Sequence, residues 1–119
     1  MISTKIHGYM DYLMGILLIA LPSLFNLPQG AASTVPVVLG AGTIVYSLMT
    51  RYELGLFRVI SVKTHIIIDI IAGLFLIATP WLFGFADLVY LPFVILGILE
   101  VGAASLTDKR SPYTETSRA

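Results

Sequence analysis

The chain has no cysteine. That excludes disulfides, zinc–thiolate and iron–sulfur centres and thiol nucleophiles, and leaves the redox compartment open. Charge is scarce as well: 12% of residues are charged and the formal net charge is zero, where an ordinary soluble domain carries about 25% charged residues. With no basic field and no nucleic-acid-binding motif, nucleic acid is excluded as a partner. The alternation of apolar and polar residues that a membrane barrel needs in at least about eight strands is missing. No glycine-rich phosphate loop and no nucleophile elbow is present, so nothing supports nucleotide chemistry, hydrolysis or any other enzymatic role.

What the chain has instead is apolar length. Hydrophobic residues make up 57% of its 119 positions, and the mean hydropathy is +0.92. Four apolar stretches, at 6–26, 35–50, 64–85 and 89–107, each approach the roughly 20 residues that a helix needs to cross a hydrocarbon core. The reading is an all-α membrane protein with four transmembrane helices in the lipid bilayer. The first stretch, with Lys5 before it and Ala31-Ala32-Ser33 beyond, has the outline of a secretory signal. Its equivalent at 64–85 has the same pattern in mid-chain, so the first stretch is read as structural.

The chain also repeats itself. His7-x3-Asp11-x3-Gly15, followed by Pro22-x-Leu24-Phe25, returns as His65-x3-Asp69-x3-Gly73, followed by Pro80-x-Leu82-Phe83. Every pair is 58 positions apart, as are Lys5 and Lys63, Ile19 and Ile77, and Ala20 and Ala78. An internal duplication of this kind sets the architecture: repeat 1 over about 1–50, repeat 2 over about 59–107, together a transmembrane domain spanning 1–107, and a polar tail over 108–119. Two crossings per repeat give two tandem hairpins of the same orientation, related by a pseudo-two-fold axis along the membrane normal. Pro36 and Pro92 are expected to open the second and fourth helices, which places those helices 56 positions apart. Gly40 with Ser47, and Gly97 with Ala104, form small faces suited to close helix packing.

All seven Lys and Arg residues lie near the N-terminus, in the 51–63 connection or in the tail, and the other two connections hold none. The positive-inside rule then puts both termini in the cytoplasm of a multi-pass inner-membrane protein. The 52–60 segment is expected to lie in that interface as a short amphipathic element.

Polar residues within the apolar spans are the candidate site. Taking Lys5 and Asp108 as helix ends, a rise of about 1.5 Å per residue sets Asp11 roughly 9 Å and Glu100 roughly 12 Å in from one face. Tyr46 is roughly 8 Å in from Arg51. His7, Asp11, His65, Asp69, Glu100 and Tyr46 therefore share one cytoplasmic-side layer. His and Asp four apart occupy one helical face, so each odd helix presents a pair. Four uses compete: polar glue between helices; a divalent metal held by His7, Asp11, His65 and Asp69, with zinc, iron and manganese all chemically sensible; a b-type haem between the two histidines; and a proton or ion relay through the acids. At the outer end, Pro22 and Pro80, together with Asn26-Leu27-Pro28 and Gly84, are expected to stop the helices, with Trp81, Phe83 and Phe85 in an aromatic belt.

Thr79-Pro80-Trp81 resembles the Ser-Pro-Trp signature of the SPW-repeat family of small bacterial integral membrane proteins. The approach through Arg51-Tyr52-Glu53-Leu54-Gly55-Leu56 and His65-x3-Asp69-x3-Gly73 is similar to bacterial members as well. The resemblance covers both repeats. This chain departs from the pattern in having Thr79 for Ser, and Leu21-Pro22-Ser23 in the first copy. The resemblance implies a multi-pass membrane protein and no particular activity. The function read from the sequence is a structural or accessory membrane component, acting as a homo-oligomer or with a membrane-protein partner, and the alternative is a metal-, haem- or proton-handling protein using the His/Asp layer.

Overall fold

A computed structural model describes residues 1–110. The described residues form four helices with no named strand: α1 (Thr4–Leu24), α2 (Ala31–Leu48), α3 (Val62–Leu82) and α4 (Leu91–Ser105). The first three are long and apolar enough to cross a membrane, whereas α4 is apolar but has only 15 residues. The tail expected over 108–119 lies, from residue 111 onward, outside the described residues.

α1 packs against α2 and α3 against α4, with α2 also packing on α3. Small residues set both intra-pair contacts. A Cβ added to Gly40 would stand 2.5 Å from the Gly15 carbonyl oxygen, and one added to Gly97 would stand 2.7 Å from that of Gly73. Ile19 covers Gly40 as Ile77 covers Gly97. Backbones approach this closely only where side chains are absent. The small faces read from the sequence are thus buried, with Ser47 and Ala104 further along them.

These contacts correct the register of the second and fourth helices. Gly40 matches Gly97 at 57 positions, not 56. Pro36 does not open α2 but lies inside it, five residues after Ala31. Pro92 does sit in the first turn of α4, where its missing N–H costs nothing. Pro36 and Pro92 occupy different positions in their helices; the glycine contact carries the true register.

Helix ends follow local rules. Ser3 and Ser61 cap α1 and α3, accepting from the backbone N–H groups of Ile6 and Thr64. Such caps satisfy donors that a first helical turn leaves unpaired. At their C-terminal ends α1 and α3 run through Pro22 and Pro80 to Leu24 and Leu82. The stop comes at Asn26 and Gly84, which adopt φ values of 48° and 74°. The next N–H, of Leu27 or Phe85, then donates back to the Pro22 or Pro80 carbonyl at 3.0 and 2.8 Å. This is the left-handed closure that Gly and Asn favour, so the prolines accept the closing bond rather than ending the helix. Trp81 and Phe83 are exposed there, and Tyr90 beside them, while Phe85, also expected in the belt, is buried against Phe93.

The 49–61 connection is not a helix. It turns back so that Thr50 pairs with Ile60, while Ile2 pairs with Thr107. The start of each half is therefore hydrogen-bonded to the end of one half or the other, through Ile2 N–H to Leu106 O at 2.9 Å and Arg51 N–H to Ile60 O at 2.8 Å. Gly55 is required by contact, since a Cβ there would lie 1.7 Å from the Thr50 carbonyl oxygen. Thr4 and Tyr12 of α1 hold this connection down through Glu53 at 2.7 Å and the Leu54 carbonyl at 2.8 Å.

Candidate functional site

His7 and Asp11 lie one turn apart on the buried face of α1, and His65 and Asp69 do the same on α3. All four are buried, none more than 3% exposed. The closest pairs cross between the helices. His7 Nε2 lies 2.7 Å from Asp69 Oδ2, and His65 Nε2 lies 2.8 Å from Asp11 Oδ2. Pairs within one helix are longer, at 3.1 Å for both His7–Asp11 and His65–Asp69. The imidazole rings meet edge to face, with centroids 5.6 Å apart.

Each imidazole is anchored at its other nitrogen. His7 Nδ1 sits 2.7 Å from the Thr107 hydroxyl, and His65 Nδ1 sits 2.6 Å from that of Thr50. Those hydroxyls donate to the carbonyls of Ala103 and Tyr46, both at 2.6 Å. A hydroxyl has one proton, and here it is committed to the helix backbone. Its oxygen must therefore accept, which makes Nδ1–H the donor and turns Nε2 toward the carboxylates.

A second layer differs between the halves. Asp69 Oδ1 accepts a hydrogen bond from the Tyr46 hydroxyl of α2. At 57 positions on, Tyr46 corresponds to Ala103, which can offer no such bond. Asp11 takes its phenol from elsewhere: Tyr52, in the connection, donates to Asp11 Oδ2 at 2.8 Å. Burial, and then the negative charge of Asp11, push the Tyr52 phenol well above its ordinary range, so it remains a donor. Glu100 of α4 is buried and corresponds to Thr43.

Where Ala103 replaces Tyr46, a cleft of about 190 Å³ opens between α1 and α4. Apolar side chains such as Met10, Leu13, Leu17 and Leu99 line it, and His7, Asp11 and Glu100 stand at its polar end. The structure thus brings together all six polar residues singled out in the sequence. It adds three that sequence reasoning missed: Thr50, Thr107 and Tyr52. Thr50 and Thr107 share the 57-position offset of Gly40 and Gly97, a signal hidden by the proline alignment. Tyr52 carried no such signal. Thr79, Pro80, Pro22 and Trp81 lie at the far ends of their helices and take no part; the Thr79 hydroxyl donates to the Phe75 carbonyl at 2.7 Å.

Comparison with known families settles membership. The SPW repeat domain matches residues 5–107. The chain belongs to the SPW repeat family. No curated protein and no solved structure matches it. Membership and the three long apolar helices together describe a small membrane protein.

Proposed function

We propose that this SPW-repeat protein is a structural or accessory component of the cell inner membrane. In this reading two hairpins cross the bilayer four times, with both termini in the cytoplasm, clasped at one depth by the His/Asp centre. The observation that carries it is the crossing of the closest ion pairs: His7 reaches Asp69 and His65 reaches Asp11, rather than each histidine serving its own helix. An apolar core of Leu18, Leu21, Ala32, Leu76, Phe93 and Leu96 also joins the halves, and the polar centre and the two terminal bridges add to that union at one end. Polar groups serve as glue between membrane helices where no hydrophobic force acts.

Insertion is supported by the outer faces, where Leu13, Ile16, Ile67 and Ile71 are all exposed. The 15 residues of α4 cover about 22 Å. The apolar Leu88, Val89 and Leu106 beside it extend that length toward the roughly 30 Å of a hydrocarbon core. A bundle this small leaves most helix faces on lipid, which supports a second copy or a membrane-protein partner on one of them. Photo-cross-linking in cells from Leu13, Ile71 or Ile98 tests the partner. A discrete adduct from one face supports the accessory reading, and crosslinks to lipid alone from all three faces count against it.

Of the rival uses, a haem between the histidines is disfavoured. Asp11 and Asp69 each approach both Nε2 atoms within 3.1 Å, and so fill the space a porphyrin would need.

A further inference from the structure

We infer that His7, Asp11, His65 and Asp69 form a divalent-cation site. The inference goes beyond the clasp. One ligand atom from each of the four residues can be chosen so that all lie within 4.8 Å of one another. Tetrahedral ligands about 2.0–2.2 Å from a metal stand about 3.4 Å apart, so shifts of about an ångström or less convert the cluster into a coordination shell. The geometry alone would also suit a plain polar cluster. Three further features point to a cation.

The first is the orientation of the imidazoles. Thr107 and Thr50 hold Nδ1 as the donor, as derived above, which leaves Nε2 as the nitrogen that faces the centre. A second hydrogen bond fixing the remote nitrogen is the usual support of a metal-ligating histidine. In the neutral ring so fixed, the Nε2 lone pair points at carboxylate oxygens 2.7–3.1 Å away. Positive charge has to stand between them.

The second is charge. With both imidazoles neutral, as metal ligands must be, the two carboxylates leave a charge of minus two, which one divalent ion balances. A monovalent ion leaves net charge buried, which a low-dielectric interior penalises heavily. Nitrogen and oxygen donors without thiolate suit zinc, iron or manganese and disfavour copper(I). The rival occupant is a pair of protons, one on each Nε2.

The third is Glu100. On the α2–α3 side the centre is closed by Tyr46. On the equivalent α1–α4 side Ala103 leaves a cleft, and its wall carries Glu100 beside His7 and Asp11. Glu100 thus adds a buried carboxyl, absent from the first half, next to two of the four ligands.

The test is titration of the untagged full-length protein in detergent with Co²⁺, read by its d–d absorption and by metal analysis. One Co²⁺ per chain is expected, with the spectrum of a four-coordinate ion, displaced by Zn²⁺. His65→Gln should abolish saturable binding. Because that variant also breaks the buried pair with Asp11, a second variant is needed: Thr107→Val keeps all four ligands and removes only the hold on His7. It should weaken Co²⁺ binding about 10–100-fold, as loss of an outer-shell partner does, and Thr107→Ser should restore it. The site is refuted if folded, monodisperse protein shows no saturable Co²⁺ binding. Undiminished binding in His65→Gln refutes it equally, and in both cases protons hold the centre.

Discussion

The Thr107 hydroxyl, just past the end of α4, accepts from His7 Nδ1 in α1 at 2.7 Å, and Thr50, just past α2, holds His65 in the same way. The threonine that ends each hairpin thus orients the histidine near the start of the other. Thr107→Val would leave a buried N–H without a partner, a loss of about 1–3 kcal/mol. Thermal unfolding in detergent should show this loss, with Thr107→Ser close to the parent protein.

The glycine contacts make a contrasting pair. Gly97→Ala places a methyl 2.7 Å from the Gly73 carbonyl oxygen and 2.5 Å from Ile77 Cγ1, whereas Gly42→Ala meets nothing within 4 Å. Overpacking of this kind costs about 1–3 kcal/mol. Gly97→Ala should lower the unfolding midpoint, and Gly42→Ala should leave it unchanged or raise it slightly.

Most of this site was legible in the sequence, because ionisable groups inside apolar runs are rare and these recur at a fixed offset. His7, Asp11, His65 and Asp69 announced themselves that way, and Glu100 and Tyr46 followed from depth. Thr50 and Thr107 did not. A threonine in an apolar run is unremarkable, and its value here comes from meeting a histidine of the opposite hairpin, which only the packing reveals. Tyr52 was hidden for another reason: its segment reads as interfacial, yet the tight approach of Gly55 to Thr50 folds it back until the phenol reaches Asp11. The helix stops show a similar limit. In the sequence Pro22 and Pro80 read as stops together with Asn26 and Gly84; the closure itself belongs to the latter two, which share the 58-position offset but differ in identity.

Those two closures give a third test. Gly84 has a φ of 74°, where a Cβ costs about 1–2 kcal/mol. Gly84→Val should destabilise the protein by that amount, and Asn26→Gly should be neutral or stabilising. Equilibrium unfolding of both variants in one detergent checks the ordering.

Orientation is a separate matter. Lys5, Arg51, Arg58, Lys63, Lys109, Arg110 and Arg118 all belong to one face if the chain crosses four times, and the proposed topology turns that face to the cytoplasm. A reporter fused after Ala119 should be active only in the cytoplasm; periplasmic activity would refute the four-crossing arrangement.

The central claim is that the two hairpins are joined through the crossed His–Asp pairs. A double-mutant cycle on His7 and Asp69, using His7→Gln and Asp69→Asn with unfolding measured in detergent, tests it most directly. Directly bonded buried groups couple by about 0.5–3 kcal/mol. The account predicts coupling in that range for His7 with Asp69, larger than for His7 with Asp11 on its own helix. Additive effects of His7→Gln and Asp69→Asn would contradict it.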